Sequence, residues 1–363
     1  MGSLSRGRKR FFDVDELELL AVSSLENIGP LSWRKLYQSF PSLSAVLRST
    51  PDRLKAAGLT DRQATALKER RLDRDSEAKI LEARSIKLIT IEDEEYPVLL
   101  RHIYDPPMIL YWQGAAAWQR PCLTVVGTRK PSAYALMALK EILPEELVSQ
   151  VTLVSGLAFG VDRAVAERSL EFNSPTIAVL ACGLDKVYPS AHHQLAEKIL
   201  RSGGAILSEY PPLRRPRPEY FPVRNRIIAG LSAGCVIVEA AVKSGTLTTA
   251  KAALDYNREA FAIPGDITRG SAEGGNFLIK CGATLLDNPQ QLFEFLNLTA
   301  KAPAAKIDKR RDKLLSLLDG EALSAEQIAE ATQEPIEKVL GRLTELELMG
   351  EVFQPRVGYY QSK

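Results

Sequence analysis

Between Asp13 and about Arg84, apolar residues recur at helical spacing. Leu17, Leu19, Leu20, Val22 and Leu25 form one stripe, and Asn27-Ile28-Gly29-Pro30 breaks it before Trp33 to Leu36. Ala57-Gly58-Leu59-Thr60 makes a second break ahead of a run through Leu67, so the segment predicts two helix, glycine turn, helix units over residues 1–84. Glycine turns of this kind in helix-hairpin-helix modules offer N–H groups to a phosphate, and they serve equally as ordinary helix caps. From about Ile86 the period changes. Apolar runs of three to five residues (Leu123–Val126, Val151–Val154, Thr176–Leu180, Ala205–Leu207, Cys235–Val238, Ala260–Ile263, Ala283–Leu286) alternate with helical stretches near Ala133–Leu143, Val161–Leu170, Ala191–Leu200 and Leu247–Tyr256. Continuous apolar strands separated by helices predict an α/β domain over 85–297, a doubly wound, mostly parallel sheet covered on both faces.

Leu298 to Lys306 reads as a linker, placed at 298–307. Beyond it come a helical run from Lys309, a second helix capped by Ser324, a third opened by Pro335, then Val352-Phe353 and Tyr359-Tyr360 around Gly358. Three helices and a β-ribbon over 308–363 predict a winged helix. Its third helix carries Glu337, Lys338, Arg342, Glu345 and Glu347, a mildly acidic face that favours a protein contact or dimerisation over a DNA groove.

Composition adds exclusions. Of 363 residues 45% are hydrophobic and 25% charged, which argues against disorder and coiled coil. No apolar stretch reaches the roughly 20 residues that span a bilayer, and the basic start (Arg6, Arg8, Lys9, Arg10) has no apolar signal core behind it, so a cytoplasmic protein is expected. Cys122, Cys182, Cys235 and Cys281 lie far apart without metal-binding spacing and predict reduced, partly buried thiols. The net charge of +2 leaves any nucleic-acid affinity to local clusters. One runs from Leu213 to Ile228, with Arg214, Arg215, Arg217, Arg224 and Arg226 against Glu219 and with Pro216, Pro218 and Pro222 disfavouring a helix. On composition it reads as a solvated loop or a binding site, the former being commoner.

In a doubly wound sheet, ligands meet the loops after the strands. Those loops hold Gly127-Thr128-Arg129-Lys130, Ser155-Gly156 up to Asp162, Cys182-Gly183-Leu184-Asp185, Ser208-Glu209-Tyr210, and Glu239 followed by Lys243-Ser244-Gly245-Thr246. Glycines, hydroxyls and cations in these positions suit a phosphate-bearing ligand. There is no G-x-G-x-x-G after the first strand and no G-x-x-x-x-G-K-[ST], so dinucleotide redox and P-loop chemistry lack their scaffolds. His102, His192 and His193 make neither a triad nor a metal set. Glu239 is the best single candidate for a general base, although a lone carboxylate at a strand end more often orders a loop.

The segments VVGTRKPSAYA (Val125 to Ala135), VSGLAFGVDRA (Val154 to Ala164), TIAVLACGLDKVYP (Thr176 to Pro189), ILSEYPP (Ile206 to Pro212), FPVRNRIIAGLS (Phe221 to Ser232), SGTLTTA (Ser244 to Ala250) and AIPGDI (Ala262 to Ile267) together resemble the DNA-processing protein A family, DprA or Smf, over essentially the whole chain. The resemblance implies a Rossmann-like core with a helical N-terminal domain and a C-terminal winged helix. It implies a bacterial, cytoplasmic, non-enzymatic protein without cofactor or metal that binds single-stranded DNA, protects it, forms homodimers and loads the RecA recombinase during natural transformation. Mapped onto the rim, the expected DNA contacts are Gly127, Thr128, Arg129, Lys130, Ser155, Gly156, Arg224, Asn225, Arg226, Lys243, Ser244, Gly245 and Thr246. Three positions depart from the family pattern: Thr128 replaces the commoner serine, Phe159 a basic residue and Ala166 a histidine. Phe159 offers a ring for base stacking in place of a cation. The competing reading is a Rossmann-like nucleotide enzyme or sensor, similar to phosphoribohydrolases, with Glu239 as its base.

Overall fold

A computed structural model describes residues 10–70, 73–299, 313–318, 322–348, 352–356 and 358–362. The expected linker lies outside the described residues apart from Leu298 and Thr299, as do Arg6, Arg8 and Lys9. The chain divides into two compact units, one ending at Thr299 and the other starting at Ala300.

The larger unit is built on nine strands: β1 (Lys87–Thr90), β2 (Ile109–Gly114), β3 (Cys122–Val126), β4 (Thr152–Ser155), β5 (Thr176–Val179), β6 (Ala205–Ser208), β7 (Gly234–Ile237), β8 (Glu259–Ala262) and β9 (Thr284–Leu285). Their order is β1-β2-β6-β5-β4-β3-β7-β8-β9. From β6 to β9 neighbours run parallel, while β2 joins antiparallel to β1 and β6. Every residue of β3 to β7 is buried, as expected for strands covered on both faces. After β3 the chain builds outward to β4, β5 and β6, and β7 then adds to the other side of β3. The loops after β3 and β7 therefore part at a topological switch point and leave a crevice.

One expectation is corrected here. The arginine cluster does not stay loop to Ile228, because Tyr220–Gly230 is a helix. Pro222 sits in its first turn, where a backbone N–H would have no helical partner in any case, and Pro216 and Pro218 precede it.

The N-terminal segment forms six short helices between Glu16 and Ala83. Their apolar faces share one core with the sheet, in which Leu20, Leu36, Leu54 and Leu67 belong to the same cluster as Tyr111, Leu157 and Ile206. The glycine turn at Gly58 is a helix cap: Gly58 is left-handed, its N–H donates to the Lys55 carbonyl at 2.8 Å, and the Leu59 N–H donates to the Leu54 carbonyl at 3.3 Å. Those donors are spent internally and are not available to a phosphate.

The smaller unit has helices Lys313–Leu318, Ala325–Thr332 and Ile336–Leu348, and a sheet in the order β10 (Leu323–Ser324), β12 (Tyr359–Ser362), β11 (Val352–Arg356). Leu314, Leu318, Ile328, Val339, Leu343 and Tyr360 close its core, the winged-helix pattern. Among the described residues no helix is long and apolar enough to cross a membrane. Cys122, Cys182 and Cys235 are buried free thiols and Cys281 is exposed; burial pushes Cys122 and Cys235 up to about 12.

Candidate nucleic-acid interface

The loop after β3 is held from below. The Thr128 N–H donates to the Glu239 carbonyl at 2.7 Å, the Thr128 carbonyl accepts from Val161 at 3.1 Å, and the Thr128 Oγ1 accepts from the Lys130 N–H at 3.2 Å. Gly160 takes φ +78°, and a Cβ on it would lie 2.4 Å from the Thr128 carbonyl oxygen, so only glycine lets the second loop pass this close beneath the first. Locked from behind, the turn leaves Arg129 and Lys130 exposed. The Arg129 guanidinium stands 5.5 Å from the Phe221 ring centroid, and among the described residues no acid pairs with Arg129, Lys130 or Lys243.

The second loop is organised by Asp162, which sequence reading gave no role, and by Arg224, which it expected as a DNA contact. Asp162 Oδ2 accepts from the Gly156 N–H at 3.0 Å and the Ala158 N–H at 3.3 Å. Arg224, only 5% exposed, donates to the Gly156 carbonyl at 2.9 Å and to the Val179 carbonyl. A Cβ on Gly156 would fall 2.6 Å from that guanidinium, so Gly156 is glycine in order to seat Arg224. Burial raises the Asp162 carboxyl, against the pull of Arg224, and burial lowers Arg224. Ser155 is fully buried. Of the residues expected as DNA contacts, Arg224 lines the crevice with its Nε and Nη1 already bonded within the protein, while Ser155 and Gly156 lie outside the crevice lining and bond to Asp162.

Arg226 is a plainer correction. It is 6% exposed, donates to both oxygens of Glu209 at 2.5 Å, and donates to the Asp105 carbonyl at 2.6 Å. Burial alone works against its charge, and Glu209 and Asp105 outweigh it. A guanidinium locked this way has nothing left for a phosphate.

On the other bank, Lys243 and Gly245 are exposed, and Gly245 precedes the ten-residue helix Thr246–Asp255. Ser244 Oγ accepts from the Thr246 N–H at 3.1 Å, and Asn225 Nδ2 donates to the Gly245 carbonyl at 3.2 Å and to Thr248 Oγ1 at 2.8 Å. Asn225 therefore ties this bank to the Tyr220–Gly230 helix. Between the banks lies a crevice of about 390 Å³ with Gly127, Arg129, Phe221, Arg224, Asn225 and Gly245 in its walls. Aromatic rings extend it: Phe159, expected as a stacking ring, packs 4.8 Å from the buried His192, and Tyr188, which sequence reading did not assign a stacking role, packs 5.8 Å from Phe221. Phe159 and Tyr188 are each 48% exposed. The legible signal for Phe221 was its place among the arginines; Tyr188 gave none beyond the Tyr-Pro after a strand.

Glu239 is buried with both oxygens in use, one accepting from the Ser132 N–H at 2.8 Å and the other from the Ser271 hydroxyl at 2.6 Å. It orders the loops around it, which takes the proposed base away from the phosphoribohydrolase-like reading. Among the described residues no three His, Cys, Asp or Glu could hold a metal ion.

Residues 87–297 match the family model of DNA recombination-mediator protein A, and residues 299–354 match that of the DprA winged helix domain. Protein Smf of Escherichia coli K12 is 37% identical over 321 residues, 84% of this chain and 86% of that protein. The X-ray structure of DprA from Streptococcus pneumoniae superposes with a TM-score of 0.66 at 31% identity, covering 77% of this chain and 98% of that one. DprA from Helicobacter pylori, whose structure is described as giving insight into its single-stranded DNA binding mode, superposes with a TM-score of 0.51 at 30% identity over 58% of this chain and 96% of that one. With this sheet order, this crevice and a C-terminal winged-helix unit, the chain belongs to the DprA/Smf family of DNA-processing, recombination-mediator proteins.

Proposed function

We propose that this chain binds single-stranded DNA along the switch-point edge without cutting it, and acts as a recombination mediator that protects the strand and loads RecA. The observation that carries the reading is that Arg129, Lys130 and Lys243 are exposed and, among the described residues, in no salt bridge, at the edge where two loops diverge and Phe159 and Tyr188 are half bare. Phosphates would follow the cations while bases stack on Phe159, Tyr188 and Phe221, a mode tolerant of sequence. If six phosphates are engaged, log affinity falls with log salt at a slope of roughly four. The contact set narrows to Gly127, Arg129, Lys130, Lys243, Ser244, Gly245 and Thr246, with Thr128 and Asn225 positioning the two banks.

Two further elements of this reading rest on the family. Leu254, Phe277 and Leu285, 52%, 52% and 40% exposed towards the β8–β9 side, support self-association there as a homodimer. From Lys313 onward five Lys or Arg stand against nine Asp or Glu, a formal −4 that leaves +6 on the preceding residues. That balance supports a protein-contact role for the winged helix, in a cytoplasmic protein. The test is a gel-shift titration of one sequence as single strand and as duplex. The single strand is expected to bind at least tenfold tighter, because base stacking needs unpaired bases; equal affinity would overturn the proposal.

A further inference from the structure

We propose that Arg214 and Arg217 form a second phosphate subsite for the same DNA strand, and that Glu26 of the N-terminal helical segment occupies it in the absence of DNA. The inference rests on the single-stranded DNA reading and extends it to a part of the molecule outside the crevice.

One Glu26 oxygen makes a close ion pair with Arg214 Nη1, and the other lies 3.2 Å from Arg217 Nη1. Arg214 also donates to the Ser24 carbonyl at 2.8 Å, which aims its fork at this point. One anion shared by two guanidinium groups is the way a phosphate is held. The site opens into a cleft of about 510 Å³ bounded by the Pro211–Arg217 loop, where Arg215 is exposed and the nearby Glu77 is already taken by Arg74 at 2.8 Å.

A succession of rings and cations links this cleft to the crevice. The Arg217 guanidinium stands 5.8 Å from the Tyr220 ring, Tyr220 stacks on Tyr210 at 4.3 Å and 24°, and the next residue, Phe221, carries Arg129. Guanidinium groups alternating with partly buried rings suit a polynucleotide that alternates phosphate and base. The side chains of Glu26 and Arg217 are 48% and 49% exposed while that of Arg214 is 15% exposed; the Arg217 pair is open and holds weakly, and a phosphate that displaces the carboxylate takes over the more sheltered Arg214 as well. Glu26 thereby discriminates by length: a strand too short to span both subsites never meets it, and a longer one must displace it.

The test compares the full chain with Glu26→Gln, using thymidine oligonucleotides of about six and about twenty-five nucleotides, lengths near the lower end of and above the roughly 4–16 nucleotides of a typical single-strand site. Glu26→Gln is expected to bind the long strand about threefold or more tighter at low salt, with a salt slope steeper by about 0.7 for each phosphate gained, and to leave the short strand unchanged. Arg214→Gln with Arg217→Gln should cancel that gain and weaken long-strand binding alone. An unchanged or weaker long-strand affinity overturns the proposal, as does an equal gain on both lengths. If Glu26→Gln lowers the unfolding temperature, Arg217→Glu decides: it must weaken the long strand and spare the short one, and equal losses overturn the proposal. Arg129→Ala on the short strand reports the crevice separately. No effect there sinks the proposed function, whereas a normal Arg129 effect beside a silent Glu26→Gln sinks only the second subsite.

Discussion

The loop after β3 and the helix Tyr220–Gly230 both bring arginines to the same edge of the sheet, yet they use them in opposite ways. Arg129, on the loop after β3 and without a salt-bridge partner among the described residues, is exposed beside Phe221. Arg224 and Arg226 lie on a helix pressed over the sheet, where backbone carbonyls, Asp162, Glu209 and Asp105 absorb their charge. The same side chain is ligand-facing in one place and architectural in the other. What separates the two is whether the fold supplies its own anion, since a buried guanidinium without a partner is too costly to keep.

The comparison can be broken by mutation. The largest effect is expected at Arg226→Ala, which strands Glu209 among buried groups and should cost about 3–5 kcal/mol of stability, read as a shifted denaturant midpoint. A loss within about 0.5 kcal/mol would show the pair to be a surface feature. Next comes Gly160→Ala. A Cβ there meets the Thr128 carbonyl at 2.4 Å in a left-handed backbone, so the first loop must move. The expected cost is about 1–3 kcal/mol with roughly tenfold weaker binding of single-stranded DNA, and unchanged binding would separate the loop from the ligand. The smallest effect is expected from removing the residues from Ala300 onward, which form their own compact unit. Single-strand affinity should stay within about threefold, because the acidic winged helix adds no net attraction for phosphate; its abolition would move the site to the winged helix.

The sheet was legible because strands buried on both faces are continuous apolar runs. Leu123–Val126 and Cys235–Val238 fall within a residue of β3 and β7. The rim loops were legible because glycine and hydroxyl residues follow each strand. The Tyr220–Gly230 helix was hidden by Pro218 and Pro222, whose local veto on helix does not extend to a first turn. The fate of its arginines was hidden for a different reason. Glu209 lies 17 positions from Arg226 and Asp105 lies 121, and no local window carries that pairing. The antiparallel β1–β2 addition and the shared core between the helical segment and the sheet are likewise products of tertiary packing.

The most direct test of an exposed cation edge is Arg129→Ala, titrated with single-stranded DNA across a salt series alongside its thermal unfolding. The account expects affinity about tenfold lower for every sequence tried, a salt slope shallower by about 0.7, and an unfolding temperature within about 1 °C of the parent. Full affinity and an unchanged slope in a folded protein would contradict it.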